Sequence, residues 1–231
     1  MNHRTSIIGL LVTLTAAAAG VGSLSGCNIL GPASYLIGGL PKIDAEYELV
    51  DRPTVVFVDD RANVIVASAH AMRHAIADRV STDLMKQGVL SQENTISPRD
   101  AMGIVNNRDR HEELMPVDAI GRAVGAEQVI FIEMRLFAES TDGVTPRPTA
   151  ACGVRVIDVA ERVRLYPLTE DTIEPSRPVQ ATMPAVDPIV FRSTSSRLKV
   201  HELLAEETGA AIAKLFYRHE SRELGGNLNP R

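Results

Sequence analysis

The run Thr54-Val55-Val56-Phe57-Val58 is the segment that most restricts how this chain can fold. Successive side chains of a strand point to opposite faces, and here both faces are apolar. Such a run is typical of an inner strand that is covered on both sides. Asp59 and Asp60 follow it directly and end it. We therefore expect further strands beside this segment.

A helix is predicted next, over residues 68–87. Ser68 can cap its start, and Gly88 suits the left-handed residue that follows a helix. Its buried stripe is formed by four residues at helical spacing: Met72, Ile76, Val80 and Leu84.

The rest of the chain predicts further strands and helices in alternation. In order, we expect a strand over 94–97, a helix from Pro98 to about residue 105, a loop over 106–113, a helix from Pro116 that Gly125 stops, a strand over 128–137, a loop over 141–148, two strands within 152–166 joined by a turn at Ala160-Glu161, a strand over 178–183, a loop over 184–196 and a helix over 198–218.

In two of these elements the apolar residues mark one face. In the hairpin, Val154 and Val156 mark one face of the first strand, and Val163 and Leu165 mark one face of the second. In the last helix the i, i+3, i+4, i+7 spacing is followed by Val200, Leu203, Leu204, Thr208, Ala211, Ile212, Leu215 and Phe216. The order of elements predicts the α/β class, as a single α/β sandwich with a mixed β-sheet, a β-meander and helices packed on it.

The N-terminus has the three parts of a secretory signal. Arg4 provides the positive region, an apolar region begins at Ile7, and small residues precede Cys27. The sequence Leu24-Ser25-Gly26-Cys27 resembles the lipobox of bacterial lipoproteins, which implies that Cys27 becomes the lipid-modified first residue of the mature protein. An uncleaved membrane anchor is the alternative, but glycines and serines interrupt the apolar run before it reaches about 18 residues.

This organisation predicts four segments. They are a lipoprotein signal peptide over 1–26, the lipidated cysteine and a tether over 27–50, an α/β domain over 51–219, and a polar tail over 220–231. The net charge is −5, which provides no basic surface for nucleic acid or for anionic lipid headgroups. Membrane attachment is therefore expected to come from lipid alone.

The cysteines and aromatic residues restrict the chemistry further. The chain has two cysteines, so with Cys27 lipidated Cys152 has no partner for a disulfide bond. Cys152 lies in an apolar segment and is expected to be a small buried side chain. Tryptophan is absent and aromatic residues make up 4%, which disfavours a surface that stacks sugars or bases.

His70 and His74 are the candidates for metal chemistry. They stand four residues apart in the first predicted helix, so both rings can share one face, and Asp59 could approach from the end of the strand. Zinc hydrolases with this spacing carry Glu directly after the first His, whereas Ala71 stands there in this chain. Solvated histidines on an outer helix face are the preferred interpretation, and we predict no metal and no cofactor.

An enzymatic role has no positive support in the sequence. There is no G-x-S-x-G elbow, no phosphate-binding G-x-x-x-x-G-K-[ST] loop and no G-x-G-x-x-G after a strand. Asp59 and Asp60 are adjacent in an extended segment, so they point to opposite faces and do not form a carboxylate pair.

The chain resembles a group of envelope lipoproteins with an anticodon-binding-domain-like α/β fold. Three segments carry the resemblance: 54–58 before a helix that ends at Gly88, 119–126 leading into 129–134, and 154–159. The group includes the curli secretion channel lipoprotein, lipoprotein activators of penicillin-binding proteins, polysaccharide-export lipoproteins and the N-terminal domain of the Tol–Pal periplasmic protein. Its members often have Thr-Gly after the last segment, where this chain has Ala160-Glu161.

The resemblance implies a non-catalytic envelope protein, acting as an adaptor or assembly factor through contacts with an envelope protein or with copies of itself. Asn28 after the lipidated cysteine would fit sorting to the periplasmic face of the outer membrane. No pair of alternating segments long enough for a membrane-spanning hairpin is evident. The alternative from another class is a lipid-anchored periplasmic metal-dependent hydrolase.

Overall fold

The computed structural model describes residues 41–65, 71–108, 114–168 and 175–221. They belong to two compact units, Asp44–His219 and a smaller unit formed by Met1–Ile43 and Glu220–Arg231. In the smaller unit, the backbone N–H of Ser221 donates to the carbonyl oxygen of Pro41 at 2.8 Å. The elements in chain order are β1 (Lys42–Ile43), β2 (Thr54–Asp59), α1 (Met72–Lys86), β3 (Thr95–Ile96), α2 (Pro98–Arg108), α3 (Val117–Val124), β4 (Gln128–Ala138), β5 (Thr149–Asp158), β6 (Arg164–Tyr166), β7 (Arg177–Thr182), α4 (Thr194–Ala213) and β8 (His219–Glu220), with 3₁₀ turns at Pro188–Arg192 and Lys214–Phe216.

The larger unit is built on one mixed sheet, so the predicted α/β class is confirmed. β2 pairs in parallel with β3 on one side and with β4 on the other. β4 pairs with β5 in the antiparallel direction, with an irregularity between Met134 and Leu136. The far edge of β5 is shared by β6 and β7, both antiparallel to it. The strand after β6 therefore returns to β5 instead of extending the sheet beyond β6.

The helices cover the sheet in two pairs. The connection through α1 joins β2 to β3, whereas the connection through α2 and α3 leads back across β2 to β4. Because crossovers between parallel strands are right-handed and these two run in opposite directions across the sheet, α1 lies on one face and α2 and α3 on the other. α4 contacts α1 and the strands β5 and β7.

Glycine ends two of the helices, as the sequence predicts. Gly125 has φ 74° and its N–H bonds to carbonyl oxygens of Gly121 and Arg122. Gly88 has φ 69°, and its N–H donates to the Met85 carbonyl oxygen at 3.0 Å. A side chain is strained at these angles, which is why glycine follows helices at such positions.

Some predicted boundaries and faces are corrected. α2 continues through Asn106–Arg108, where a loop was expected, and 109–113 lie outside the described residues. α1 begins at Met72, and the predicted cap Ser68 is also outside the described residues. The loop expected over 184–196 ends earlier, in a 3₁₀ turn followed by Ser193, and α4 therefore begins at Thr194.

Two apolar side chains of the predicted faces are exposed. Val163 is 49% exposed because it precedes β6 and lies in the turn that follows β5. That turn is longer than the predicted Ala160-Glu161, since the Asp158 carboxylate accepts the N–H groups of both residues and Arg162 has φ 58°. Leu203 is 40% exposed, because the buried stripe of α4, which keeps Val200 and Leu204, is shifted to include His201 and Ala205.

Two glycines let helices approach their neighbours closely. A Cβ on Gly121 of α3 would lie 2.5 Å from Val159 Cγ2 and 2.9 Å from Val129 Cγ2. A Cβ on Gly209 of α4 would lie 2.8 Å from the Ile76 carbonyl oxygen in α1. Any side chain at these positions forces the helix away from the surface that it covers.

We expect Gly121→Val to lower the free energy of unfolding by roughly 1–3 kcal/mol, because the added methyl groups overpack the contact with Val129 and Val159. Urea unfolding followed by far-ultraviolet circular dichroism measures it. The matched control is Gly103→Ala, also in a helix, where a Cβ meets nothing within 4 Å. In the control, the higher helix propensity of alanine should raise the free energy of unfolding by about 0.5–1 kcal/mol. Equal gains in both variants would contradict the close approach.

Candidate functional site

Asp59 and Asp60 at the end of β2 are engaged with the turn that follows them. The buried Asp60 carboxylate accepts the N–H of Val64 at 2.8 Å and the N–H of Ile65 at 3.2 Å. Asp59 Oδ1 accepts the N–H of Arg61 at 3.2 Å and lies 3.4 Å from its Nε. Hydrogen bonds from the backbone hold both carboxylates in place, so their role here is to shape the turn 60–65.

His74 lies on α1 and is half-buried. The sequence had favoured a solvated histidine on an outer helix face. Its Nδ1 is enclosed and has no hydrogen-bond partner among the described residues. Burial lowers the pKa of His74, and the positive charge of Arg73 lowers it further, against the opposing effect of Asp78. The imidazole is therefore neutral at pH 7, since its ordinary pKa is already about 6.5.

The predicted metal candidates are not brought together by the part of the chain that the structure describes. Within it, no group of three or more His, Cys, Asp or Glu side chains could hold a metal ion. His70 is outside the described residues, so its position relative to His74 stays a prediction. Asp59 is committed to Arg61, as described above.

His74 instead lines an open cleft of about 640 Å³ between three helices. The cleft is lined by residues of α1, α2 and α4 and by the residue before α1: Ala71, Met72, His74, Ala75, Asp78, Arg99, Gly103, Asn106 and Glu202. Among them, the sequence marked only His74 as a candidate for function. The other polar residues come from helices far apart in the chain, so no local pattern connects them. The one local feature that could have indicated this cleft is Gly103 in the middle of α2.

Cys152 is buried in β5, as predicted. Its side chain is 1% exposed, and desolvation raises the pKa of the thiol to about 12. A thiol reacts through its thiolate, and this environment suppresses the thiolate at neutral pH. Cys152 thus acts as a small apolar side chain of the core.

Residues 44–50, which the sequence places at the end of the tether, contact other residues of the larger unit. The N–H groups of Glu46 and Tyr47 both donate to the Leu215 carbonyl oxygen, at 2.8 and 3.1 Å. The Tyr47 ring lies 5.3 Å from the Tyr166 ring and 6.5 Å from the Phe216 ring. The three rings form an aromatic cluster that attaches this segment to β6 and to the 3₁₀ turn after α4.

An ion pair reinforces the same attachment. Arg177 of β7 donates from Nε and Nη2 to the two oxygens of Glu46, at 2.7 and 2.8 Å. The Tyr166 hydroxyl donates to Glu46 Oε2 at 2.8 Å. The bond from Arg177 lowers the pKa of Glu46, while burial and the bond to Glu46 raise the pKa of Tyr166. Residues 44–50 are therefore joined to the sheet through a bidentate pair.

The N-terminal predictions lie outside the described residues. Cys27 and the segments 1–26 and 27–40 belong to this part of the chain, so lipidation of Cys27 stays a prediction. Among the residues that the structure does describe, no helix is both long and apolar enough to cross a membrane.

We expect the Cys152 thiol to resist modification in the folded protein. In a Cys27→Ser chain Cys152 is the single thiol, so its reaction with a disulfide reagent at pH 8 can be followed directly. Burial and the raised pKa should slow this reaction at least about a hundredfold relative to the urea-unfolded chain. Equal rates in the two states would show that the β5 environment is open.

We expect Glu46→Gln to lower the free energy of unfolding by about 1 kcal/mol at pH 7, because it weakens the bonds to Arg177 and Tyr166. Glu48→Gln, which changes an exposed carboxylate with no partner among the described residues, is the control. Since the pKa of Glu46 is lowered in the folded state, its contribution is present above the unfolded pKa and lost as pH falls through the folded pKa. Unfolding curves of the two variants and the parent should therefore converge in acid, and a difference that persists there would contradict the ionic origin.

Comparison with known proteins found structural neighbours only. No protein-family model matches the chain, and no curated protein matches it. A PelC dodecamer subunit from Paraburkholderia phytofirmans is 14% identical with a TM-score of 0.39, over 78% of this chain and 99% of that one.

Two other solved structures are similar at the same level. The hypothetical protein CT253 from Chlamydia trachomatis is 16% identical with a TM-score of 0.41, over 70% of this chain and 96% of that one. Lipoprotein GNA1162 from Neisseria meningitidis is 11% identical with a TM-score of 0.34, over 66% of this chain and 95% of that one. At these values the likeness carries no functional inference.

Proposed function

We propose that the chain is a lipid-anchored protein of the bacterial envelope that acts without catalysis, as an adaptor or assembly factor through protein–protein contacts. The observation that carries the proposal is the sequence Leu24-Ser25-Gly26-Cys27 at the end of a secretory signal. It specifies both export and a covalent lipid anchor at one residue.

The non-catalytic part of the proposal is supported by what the reactive side chains already do. Asp60 accepts backbone N–H groups in its turn, and Cys152 is enclosed in the core with a raised pKa. Groups that serve the fold in this way are not poised to exchange protons or attack a substrate. Function would then depend on surface contacts.

The attachment of residues 44–50 supports an anchor that positions the domain. The chain from Cys27 to Ile43 is about 17 residues long, so it spans at most about 60 Å when fully extended. Force along this tether would reach the sheet through Glu46, Tyr47 and their partners. With a net charge of −5 the protein is not attracted to anionic headgroups, so lipid on Cys27 would attach it to the membrane. We propose that this membrane is the outer membrane.

The lipid anchor is tested by metabolic labelling with palmitate in the native host, followed by membrane fractionation. The parent chain should incorporate label and sediment with membranes, and Cys27→Ser should do neither. Cys152→Ser is the matched control, because it removes the other cysteine and should leave labelling intact. Unlabelled parent protein, or label that survives Cys27→Ser, would overturn the anchor.

The protein contacts are tested by cross-linking the full-length lipoprotein in living cells and identifying the adducts by mass spectrometry. A fusion that keeps residues 1–50 but carries an unrelated folded domain is the control for proximity at the membrane. A dominant envelope protein, or a ladder of copies of the chain itself, absent from the fusion, supports the proposal. Adducts identical in both samples would contradict it. So would purified protein that contains stoichiometric metal and has a hydrolase activity that His74→Ala abolishes.

A further inference from the structure

Gly103 in α2 is a glycine that the fold does not require. It lies inside Pro98–Arg108, where glycine costs about 1 kcal/mol relative to alanine. Its backbone is not in the left-handed region, and a Cβ there would meet nothing within 4 Å. Gly121 and Gly209 differ, because a Cβ on either would collide with neighbouring groups. The missing side chain at Gly103 opens space at the surface of α2.

That space belongs to the cleft beside His74. Its volume of about 640 Å³ is within the range of sites that hold ligands or partner side chains. Small residues form part of its lining, namely Ala71, Ala75 and Gly103. A long unbranched side chain can therefore lie against this surface without displacing a bulky group.

The charges of the cleft are unbalanced. Asp78 and Arg99 approach only to 3.5 Å, with side chains 42% and 72% exposed, so they form a weak pair. Glu202 lines the same cleft and has no hydrogen-bond or ion-pair partner among the described residues. With His74 neutral at pH 7, the described residues of the lining carry two carboxylates, Asp78 and Glu202, against one cation, Arg99. The cleft is suited to a cation.

We propose that the cleft between α1, α2 and α4 is a docking site that receives a lysine or arginine side chain from a protein partner, with its aliphatic stem against Gly103 and Ala75 and its charge beside Glu202 and Asp78. This inference rests on the proposed function, for which it names a contact surface. A partner protein suits the cleft better than a small metabolite, because the cleft is open along three helices and would leave much of a small ligand in water.

The chemical preference of the cleft is tested with side-chain analogues on the purified Cys27→Ser full chain. Butylammonium, a lysine analogue, is titrated while the backbone amides of Gly103 and Ala75 are followed by nuclear magnetic resonance. Saturable shifts in the millimolar range are expected. Butan-1-ol, which has the same number of heavy atoms but is neutral, should bind at least about fivefold more weakly. Equal binding of both probes, or no binding of butylammonium, would overturn the inference.

Variants locate the binding within the cleft. Gly103→Leu fills the space and should abolish the shifts, while Gly103→Ala keeps the helix and most of the space and should preserve them. Glu202→Lys should weaken butylammonium binding at least about fivefold. Glu206→Lys makes the same charge change four residues further along α4, outside the lining, and should leave binding unchanged. Equal effects at 202 and 206 would show that general charge, and not the cleft, attracts the probe.

The partner is tested in cells with a photoreactive amino acid in the full-length lipoprotein, at Asn106 on the cleft or at Gln180, an exposed position on β7. Adducts from Asn106 should map to a segment of the partner that contains lysine or arginine. They should be lost with Gly103→Leu and Glu202→Lys and kept with Glu206→Lys. Adducts from Gln180 alone would overturn the cleft while leaving the adaptor proposal standing. Protein adducts from neither position would count against both.

Discussion

The parallel pairing of β2 with β4, from Thr54–Gln128 to Asp59–Glu133, is the contact on which the rest of the larger unit depends. It places a strand that is buried on both faces between two others, so helices must cover it from above and below. The crossovers on its two sides send α1 to one face and α2 and α3 to the other. Buried Gln128 reinforces the start of the pairing, where its Nε2 donates to Val50 and to Thr54 at 2.7 Å.

This arrangement separates residues that hold the fold from residues that are available for contacts. Charged groups at the strand ends are engaged locally: Asp60 with its own turn, and Asp158 with Arg52 at 3.0 Å and the turn after β5. The attachment of Glu46 to Arg177 and Tyr166 joins the incoming chain to the far edge of the sheet. Glu202 and His74 instead line an open cleft between α1, α2 and α4.

Local signals predicted the strands and the helix ends well, because they depend on neighbouring residues. The strand 54–58 and the stops at Gly88 and Gly125 follow from side-chain alternation and from the left-handed angle that glycine tolerates. Burial was predicted less well where two surfaces compete for one helix. α4 is covered by the sheet and by α1, so its buried face is shifted and Leu203 is left exposed.

The sequence by itself determined the order of elements, the α/β class and the lipobox-like end of the signal, since each is written in a short run of residues. Only the tertiary structure decided that Asp60 serves a turn, that residues 44–50 contact the sheet and that His74, Arg99 and Glu202 line one cleft. Those relations join residues far apart in the chain. Their geometry depends on how the helices are held against one another, as at Gly209, where a single Cβ would keep α4 away from α1.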